Sequence, residues 1–359
     1  MWSTNFYFKE VNFVSNLTCV ELCSGGGGLL LALKSCFNVL ASVEFDKSAA
    51  TTLKSNFPND NILQADMSAV ETKEYFMNPK FQNADLLVAG LPCQAFSTIG
   101  AQKGLSDARG QLGYHFFDLI ALIKPKSILI ENVPGLLTID GGAVFEEFLH
   151  IIRSLGYFIG YSETGAGINT CKVLDASHFG VPQTRKRLFI TAFRIDVWEA
   201  AKKHNINFEF PAPTHIGREV TLGEALKGVP TSEHIPFSER EQAILRNVPP
   251  GDYGSPETSC IPIKSNAAKY YKRLSWDTPC CTLLASHRHG ACHPAETRPL
   301  TIRESARVQT FPDDYVFEGS LYSQYRQIGN AVPVKLGKAV AGKIAEFLES
   351  VNSVCKGGE

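Results

Sequence analysis

The stretch Asp85-Leu86-Leu87-Val88-Ala89 runs straight into Gly90-Leu91-Pro92-Cys93-Gln94-Ala95-Phe96-Ser97, and the junction between them decides the fold. The first run is near-continuously apolar and bounded by turn residues, the pattern of a strand buried on both faces of a parallel sheet. Open α/β sheets bind ligands in the crevice beyond the carboxyl ends of their strands. Pro92 stiffens the turn there, so Cys93 is expected to be displayed as a nucleophile. A single cysteine is more often a packed core residue. The reason to read Cys93 otherwise must come from the rest of the chain.

Outward from this junction, the first half alternates apolar runs with helical patterns. Strands are predicted at 18–22, 40–44, 61–64, 85–89 and 127–131, helices at 28–36, 47–57 and 114–123, and a late strand at 187–193. That rhythm predicts a doubly wound, mostly parallel α/β sheet. After about Ile195 it stops. Pro211, Pro213, Pro230, Pro249-Pro250-Gly251 and Gly254-Ser255-Pro256 suggest a second, loop-rich unit. A final helix is expected over residues 331–350, with Asn330 as its cap.

Composition narrows the class. The 359 residues are 44% hydrophobic and 20% charged, with a net charge of -1, as in an ordinary globular protein. No global field draws the chain to nucleic acid, so any such partner must meet a local patch. The first twenty residues lack the pattern of a signal peptide, and no apolar run reaches membrane-spanning length. The ten cysteines form no CxxC pair. Reduced thiols and a cytoplasmic location are therefore expected.

Glu21-Leu22-Cys23-Ser24-Gly25-Gly26-Gly27-Gly28 closes the first strand and opens the first helix. Glycines there let a ligand approach the backbone near helical N–H groups. Glu44, with Phe45 after it, places an acid at the next strand end, where it could hold ribose hydroxyls. Asp66, with Met67 after it, ends the third strand in the same crevice. These residues describe an adenosyl site without separating a dinucleotide from S-adenosylmethionine.

Cys93 together with Glu131-Asn132-Val133 decides between them, because a thiol and a carboxyl then face one substrate beside the cofactor. At this point the sequence closely resembles the cytosine-5 DNA methyltransferases, of bacterial restriction-modification or orphan type. The resemblance runs, in order, through the Gly25–Gly28 loop, Glu44, Asp66, Pro92-Cys93-Gln94, Asp107-Ala108-Arg109-Gly110 and Glu131-Asn132-Val133. It continues through Gln183-Thr184-Arg185-Lys186-Arg187, Arg298–Pro312 and Gly329-Asn330-Ala331-Val332-Pro333. It covers nearly the whole chain except about residues 197–271.

The chemistry accounts for these residue types. Carbon 5 of cytosine is a poor nucleophile. A thiolate adding to carbon 6 makes it enamine-like and able to take a methyl group. A protonated Glu131 at ring nitrogen 3 would stabilise the adduct, which requires a desolvated carboxyl. The resemblance implies that Arg185 and Arg187 hold the flipped nucleotide. It implies S-adenosylmethionine as cofactor, S-adenosylhomocysteine as product and no metal. Cys23, Ser24, Gly25, Gly26, Gly28, Glu44, Phe45, Asp66, Met67, Pro92, Leu112, Asn330, Ala331 and Val332 would form the cofactor site. Four positions depart from the family pattern: Glu21 for the usual aspartate, Cys23 for the phenylalanine that packs on adenine, Gly26 for a usually larger residue, and Ala32 for a glycine.

Family members read their target with a domain placed after the Gln183–Arg187 block. Residues 1–196 with 328–359 are therefore expected to form the catalytic domain, and 197–327 the smaller target-recognition domain. Residues 264–303 carry seven cations against two acids, which suits phosphate contacts. Gln94, Ser97, Arg109, Lys269, Lys272, Arg273 and Arg288 are the expected contacts to double-stranded DNA, whose target base must be extruded to be reached. Cys280, Cys281, His287, His289, Cys292 and His293 crowd one stretch, but their spacing matches no zinc finger. A tRNA-directed branch carries a Cys-Phe-Thr signature where this chain has Cys281-Thr282-Leu283. A non-catalytic homologue would lack Cys93 or Glu131. A monomer is expected, acting at the bacterial nucleoid, with a restriction endonuclease as a possible companion.

Overall fold

The computed structural model describes residues 16–91, 108–161, 168–255, 258–259, 261–262, 271–286 and 291–356, with 108–112 and 356 described as backbone only. Its centre is a sheet built by β1 (Thr18–Leu22), β2 (Asn38–Glu44), β3 (Ile62–Gln64), β4 (Leu86–Gly90), β5 (Ser127–Asn132), β6 (Tyr157–Phe158), β7 (Cys171–Asp175) and β8 (Lys186–Arg194). Their order is β3-β2-β1-β4-β5-β8-β6, with β7 also paired to β8. The neighbours from β3 to β5 run parallel. β8 is antiparallel to β5, β6 and β7. Chain order reverses between β1 and β4, so the crevice for a ligand opens there.

Helices α1 (Gly28–Leu33), α2 (Lys47–Asn56), α4 (Ala108–Ile123) and α5 (Ala143–Ser154) alternate with the strands, with α3 (Val70–Phe76) between β3 and β4. The central strands are covered on both faces. One layer holds Val20, Leu87, Ile128 and Ile190 with Phe116, Ile120 and Phe148. The opposite layer holds Cys19, Leu86, Leu129 and Phe193 with Leu29, Leu33 and the long helix Val334–Lys356. Two-sided burial is why these strands read as unbroken apolar runs rather than alternating ones.

Beyond β8, α6 (Ile195–Lys203) lays Trp198 flat on Phe158, with centroids 4.0 Å apart. From there to residue 300 the described chain is mostly irregular, with two short helices, Leu222–Leu226 and Glu239–Leu245, and the pair of two-residue strands Lys272–Arg273 and Ala291–Cys292. Residues 300–328 pack on the sheet's helices. Phe311, Tyr315, Tyr325 and Ile328 share one cluster with Leu30, Leu31, Leu53 and Phe57. Asn330 ends the helix Leu321–Asn330 rather than capping the last one, which starts at Val334 after Pro333.

Candidate active site

A cleft of about 670 Å³ opens at the reversal point of the sheet. Its walls come from the ends of four strands: Glu21 and Cys23 to Gly25 at the end of β1, Glu44 at the end of β2, Gly90 and Leu91 at the end of β4, and Glu131 to Val133 at the end of β5. Arg185, just before β8, and Arg187 on it close one side. Arg326 with Asn330 to Val332 closes another.

The glycine loop is held in a form other residues resist. Gly27 has φ +85°, and a Cβ there would lie 2.2 Å from the Tyr315 hydroxyl oxygen. That hydroxyl donates to the Gly26 carbonyl at 2.8 Å. A Cβ on Gly28 would meet the Val332 carbonyl oxygen at 2.3 Å, so only glycine lets the loop reach the Asn330–Val332 turn. Cys23 takes a left-handed φ of 55°, and its Sγ lies 3.8 Å from the Met67 sulfur.

Two acids line one side of the cleft. Glu44 accepts from the Gly25 N–H at 2.7 Å and from the Asp46 N–H at 2.8 Å, so both its oxygens are fixed. Burial pushes its carboxyl up, and these hydrogen bonds pull it back. Glu21 is 1% exposed and accepts from Ser42 Oγ at 3.3 Å. Burial raises its pKa from 4.5 to about 7, against the opposing hydrogen bonds from Ser24 and Ser42. Desolvation disfavours the ionised form, so this carboxyl titrates near neutrality.

On the other side Glu131 is buried, and its Oε1 lies 2.8 Å from Arg187 Nε. Burial raises the Glu131 carboxyl, with the charges of Arg187 and then Arg185 holding it partly down. Arg185 is the residue before β8 and Arg187 the second residue of the strand, and both line the cleft. Arg185 donates to the carbonyls of Leu283 at 3.0 Å and Gly329 at 2.7 Å. Its buried Nε finds no partner among the described residues. Burial first, and then the Arg187 charge, pull this guanidinium below its ordinary value.

Several expected residues stand elsewhere. Cys93, Pro92, Gln94, Ser97, Lys269 and Arg288 lie outside the described residues, as do the side chains of Arg109 and Leu112. Leu91, immediately before Pro92, is held through its carbonyl by Asn132 Nδ2 at 3.0 Å. Gly26, Phe45, Asp66 and Met67 are not among the residues lining the cleft. One Asp66 oxygen is taken by the Ser68 N–H and hydroxyl. Phe45 is 72% exposed.

The cationic stretch needs correction. Arg273, expected on DNA, is 4% exposed. It donates to the carbonyls of Val248, Leu245, His293 and Glu296 and to the Thr297 hydroxyl, which leaves no face for a phosphate. Arg298 is spent on Glu296 and Glu304, and Arg303 on the Pro312 and Tyr315 carbonyls. Lys272 remains half-buried, its ammonium 5.0 Å from the centroid of the exposed Tyr253 ring.

Sequence reading missed two residues lining the cleft and one buried amide pair. Asn132 pins the segment before Cys93, Arg326 lines the rim, and Gln183 and Gln309 form a buried amide pair at 3.0 Å. Gln309 donates on to the Ile328 carbonyl, and Gln183 accepts from the Leu283 N–H. Gln183 and Asn132 sat inside quoted motifs beside charged neighbours that drew the attention. Arg326 had no signal beyond being four residues before Asn330.

The comparisons agree with this geometry. The curated relatives include Type II methyltransferase M.Eco47II of Escherichia coli, 38% identical over 97% of this chain and 84% of the relative. Type II methyltransferase M.PspPI of Psychrobacter is 38% identical over 92% of the chain and 79% of the relative. Among solved structures, a prophage-encoded E. coli protein described as a DNA modification methyltransferase superposes with TM-score 0.69 at 23% identity, covering 93% of this chain and 99% of that one. S. pombe Dnmt2 superposes with TM-score 0.62 at 20% identity, covering 94% and 99%. These two likenesses speak for the fold. Among the described residues no helix is long and apolar enough to cross a membrane. Residues 17–346 match the C-5 cytosine-specific DNA methylase profile, and the chain belongs to that family.

Proposed function

We propose that this chain methylates carbon 5 of a cytosine extruded from a specific duplex DNA sequence, with Cys93 as nucleophile and S-adenosylmethionine as methyl donor. One observation carries the reading. Glu131, Arg185 and Arg187 converge in the same cleft as Gly25 and Glu44, and that cleft is bounded by Leu91, one residue short of Pro92-Cys93.

The residues present suit an adenosyl cofactor. A glycine loop approaches the cleft without side chains, and Glu44 has both oxygens pre-oriented by backbone N–H groups beside it. Glu21 and Glu44 add acid to a site that would receive a cation. Ser24, Gly25, Gly28, Glu44 and Asn330 to Val332 would hold it, and the group would supply an electrophilic methyl. Cys23 would face the adenine in place of an aromatic ring, losing a contact worth roughly 0.5–1.5 kcal/mol.

The chain's own residues do the rest. The Cys93 thiolate adds to carbon 6 while the Glu131 carboxyl, whose pKa burial raises, donates in its protonated form to ring nitrogen 3. Arg187 orients Glu131. The Nε of Arg185, without a partner among the described residues, offers a donor to the ring's exocyclic oxygen, where charge builds. After methylation a base removes the carbon 5 proton, and the thiolate leaves as the carbon 6–sulfur bond breaks. Residues 197–327 would supply target recognition, with Lys269, Lys272 and Arg288 meeting phosphates, and residues 1–196 with 328–359 the catalysis. The protein would act as a cytoplasmic monomer, and a restriction endonuclease could accompany it.

Duplex target containing 5-fluorocytosine tests this, because fluorine cannot leave as a proton does. With S-adenosylmethionine present, the wild-type chain should form a denaturation-resistant protein–DNA adduct and Cys93→Ser should form none. A normal adduct yield from the variant would refute the assignment of Cys93.

A further inference from the structure

The rim of the cleft carries an ion pair that the chemistry above does not use. Arg326 stands one turn before Asn330 on the helix Leu321–Asn330, and both line the cleft. Asp46 follows β2 by two residues, hydrogen-bonded to Glu44, which lines the cleft. Arg326 Nη2 donates to Asp46 Oδ2 at 2.6 Å, joining positions 280 apart in sequence. The side chains are 41% and 38% exposed, so the contact can open into water without stranding a buried charge.

Asp46 is tied to the cofactor side twice. Its N–H donates to Glu44 Oε1 at 2.8 Å, and its Oδ1 accepts from the Ala49 N–H at 3.0 Å, capping α2. Arg326 therefore reaches Glu44 through one intermediary. The remainder of this seam is closed independently. Asn56 donates to the Val316 carbonyl, and Thr52 Oγ1 accepts from the Glu318 N–H. The ion pair lies at the end of an anchored seam, where it meets the cleft.

We propose that Arg326 is a positioning residue: with Asp46 it latches the helix Leu321–Asn330 to the end of β2 across the mouth of the cleft and sets how long the adenosyl ligand stays. The inference rests on the cofactor reading above. A half-exposed ion pair is modest in strength and screened by salt, which suits a contact that must open in every catalytic cycle.

The test is stopped-flow dissociation of S-adenosylhomocysteine, with steady-state kinetics alongside. Arg326→Gln and Asp46→Asn should each raise the off-rate about three- to fivefold, the range such a pair commands. Asparagine also caps helices, so Asp46→Asn leaves α2 intact. The double variant should be no faster than either single one, because both remove the same contact. Arg326→Lys should restore most of the wild-type rate. The kinetic effect should fall on KM for S-adenosylmethionine rather than on kcat. Raising salt from about 0.05 to 0.5 M should speed release from the wild type but not from the variants. Wild-type off-rates in the single variants, or additive effects in the double, would overturn the latch while leaving the cofactor reading intact. No binding of either ligand to the wild-type chain by calorimetry would overturn both.

Discussion

Replacing Glu21 with Gln should stabilise the ligand-free protein, and only above weakly acidic pH. Glu21 is enclosed by β1, β2 and the glycine loop, and burial raises its pKa from 4.5 to about 7. The folded state thus binds this proton more tightly than the unfolded state does. Stability then falls with pH wherever the folded state holds more protons. For Glu21 the burial penalty is absent below about pH 4.5, grows between 4.5 and 7, and is complete above 7. A shift of that size, at 1.36 kcal/mol per unit, amounts to about 3 kcal/mol. Glutamine keeps the shape and the acceptor for Ser42 but cannot ionise. Urea unfolding of both proteins from pH 5 to 8 isolates the term, because other titrating groups cancel in the difference. The variant should exceed the wild type by less than about 1 kcal/mol near pH 5 and by about 3 kcal/mol at pH 8. A difference that stayed constant with pH, or that favoured the wild type at pH 8, would refute the buried, proton-holding Glu21.

Arg187→Gln should lower kcat by about 100-fold, the effect of losing one preorganised donor. It should also move any alkaline limb due to Glu131 to higher pH, since Arg187 holds that carboxyl down; a pH–rate profile reads both, and a limb shifted downward would contradict the ion pair. Gly27→Ala should cost about 2–3 kcal/mol, because the left-handed φ and the overlap with the Tyr315 hydroxyl act together; an unchanged denaturation midpoint would show that the loop is softer than drawn. Arg273→Met should destabilise by at least about 3 kcal/mol through orphaned carbonyls. The folded fraction should keep the wild-type salt slope for DNA, and a stable variant with a shallower slope would return Arg273 to the phosphates.

The strand ends and their acids were legible because local pattern determines them. Two-sided burial writes Leu86–Ala89 and Ile128–Ile130 as unbroken apolar runs, and glycine is demanded wherever the backbone turns left-handed or approaches a carbonyl. Residue types at those strand ends also narrowed the chemistry, since a thiol, an acid and alternating arginines suit addition to an aromatic ring. β7 was not legible: its half-exposed run Cys171–Asp175 alternates too weakly to stand apart from a loop. The antiparallel direction of β8 against β5 was hidden as well, because pairing partners are chosen by the packed sheet and not by the strand itself.

Charge was the least legible property. In sequence, Lys272, Arg273, Arg298 and Arg303 are equivalent cations in one basic stretch. Only the folded chain decides that Arg273 is consumed by backbone carbonyls, Arg298 by two carboxylates and Arg303 by a turn, while Lys272 stays at the surface. The same holds for Glu21 and for Arg326 with Asp46. Desolvation and contacts across 280 residues arise from the packing of distant segments, and no local spacing encodes them. The sequence by itself determined the central parallel strands, the glycine loop and the kind of chemistry. The tertiary structure decided which charges are free to act, because a side chain's charge has its effect only through the burial and partners that distant residues provide.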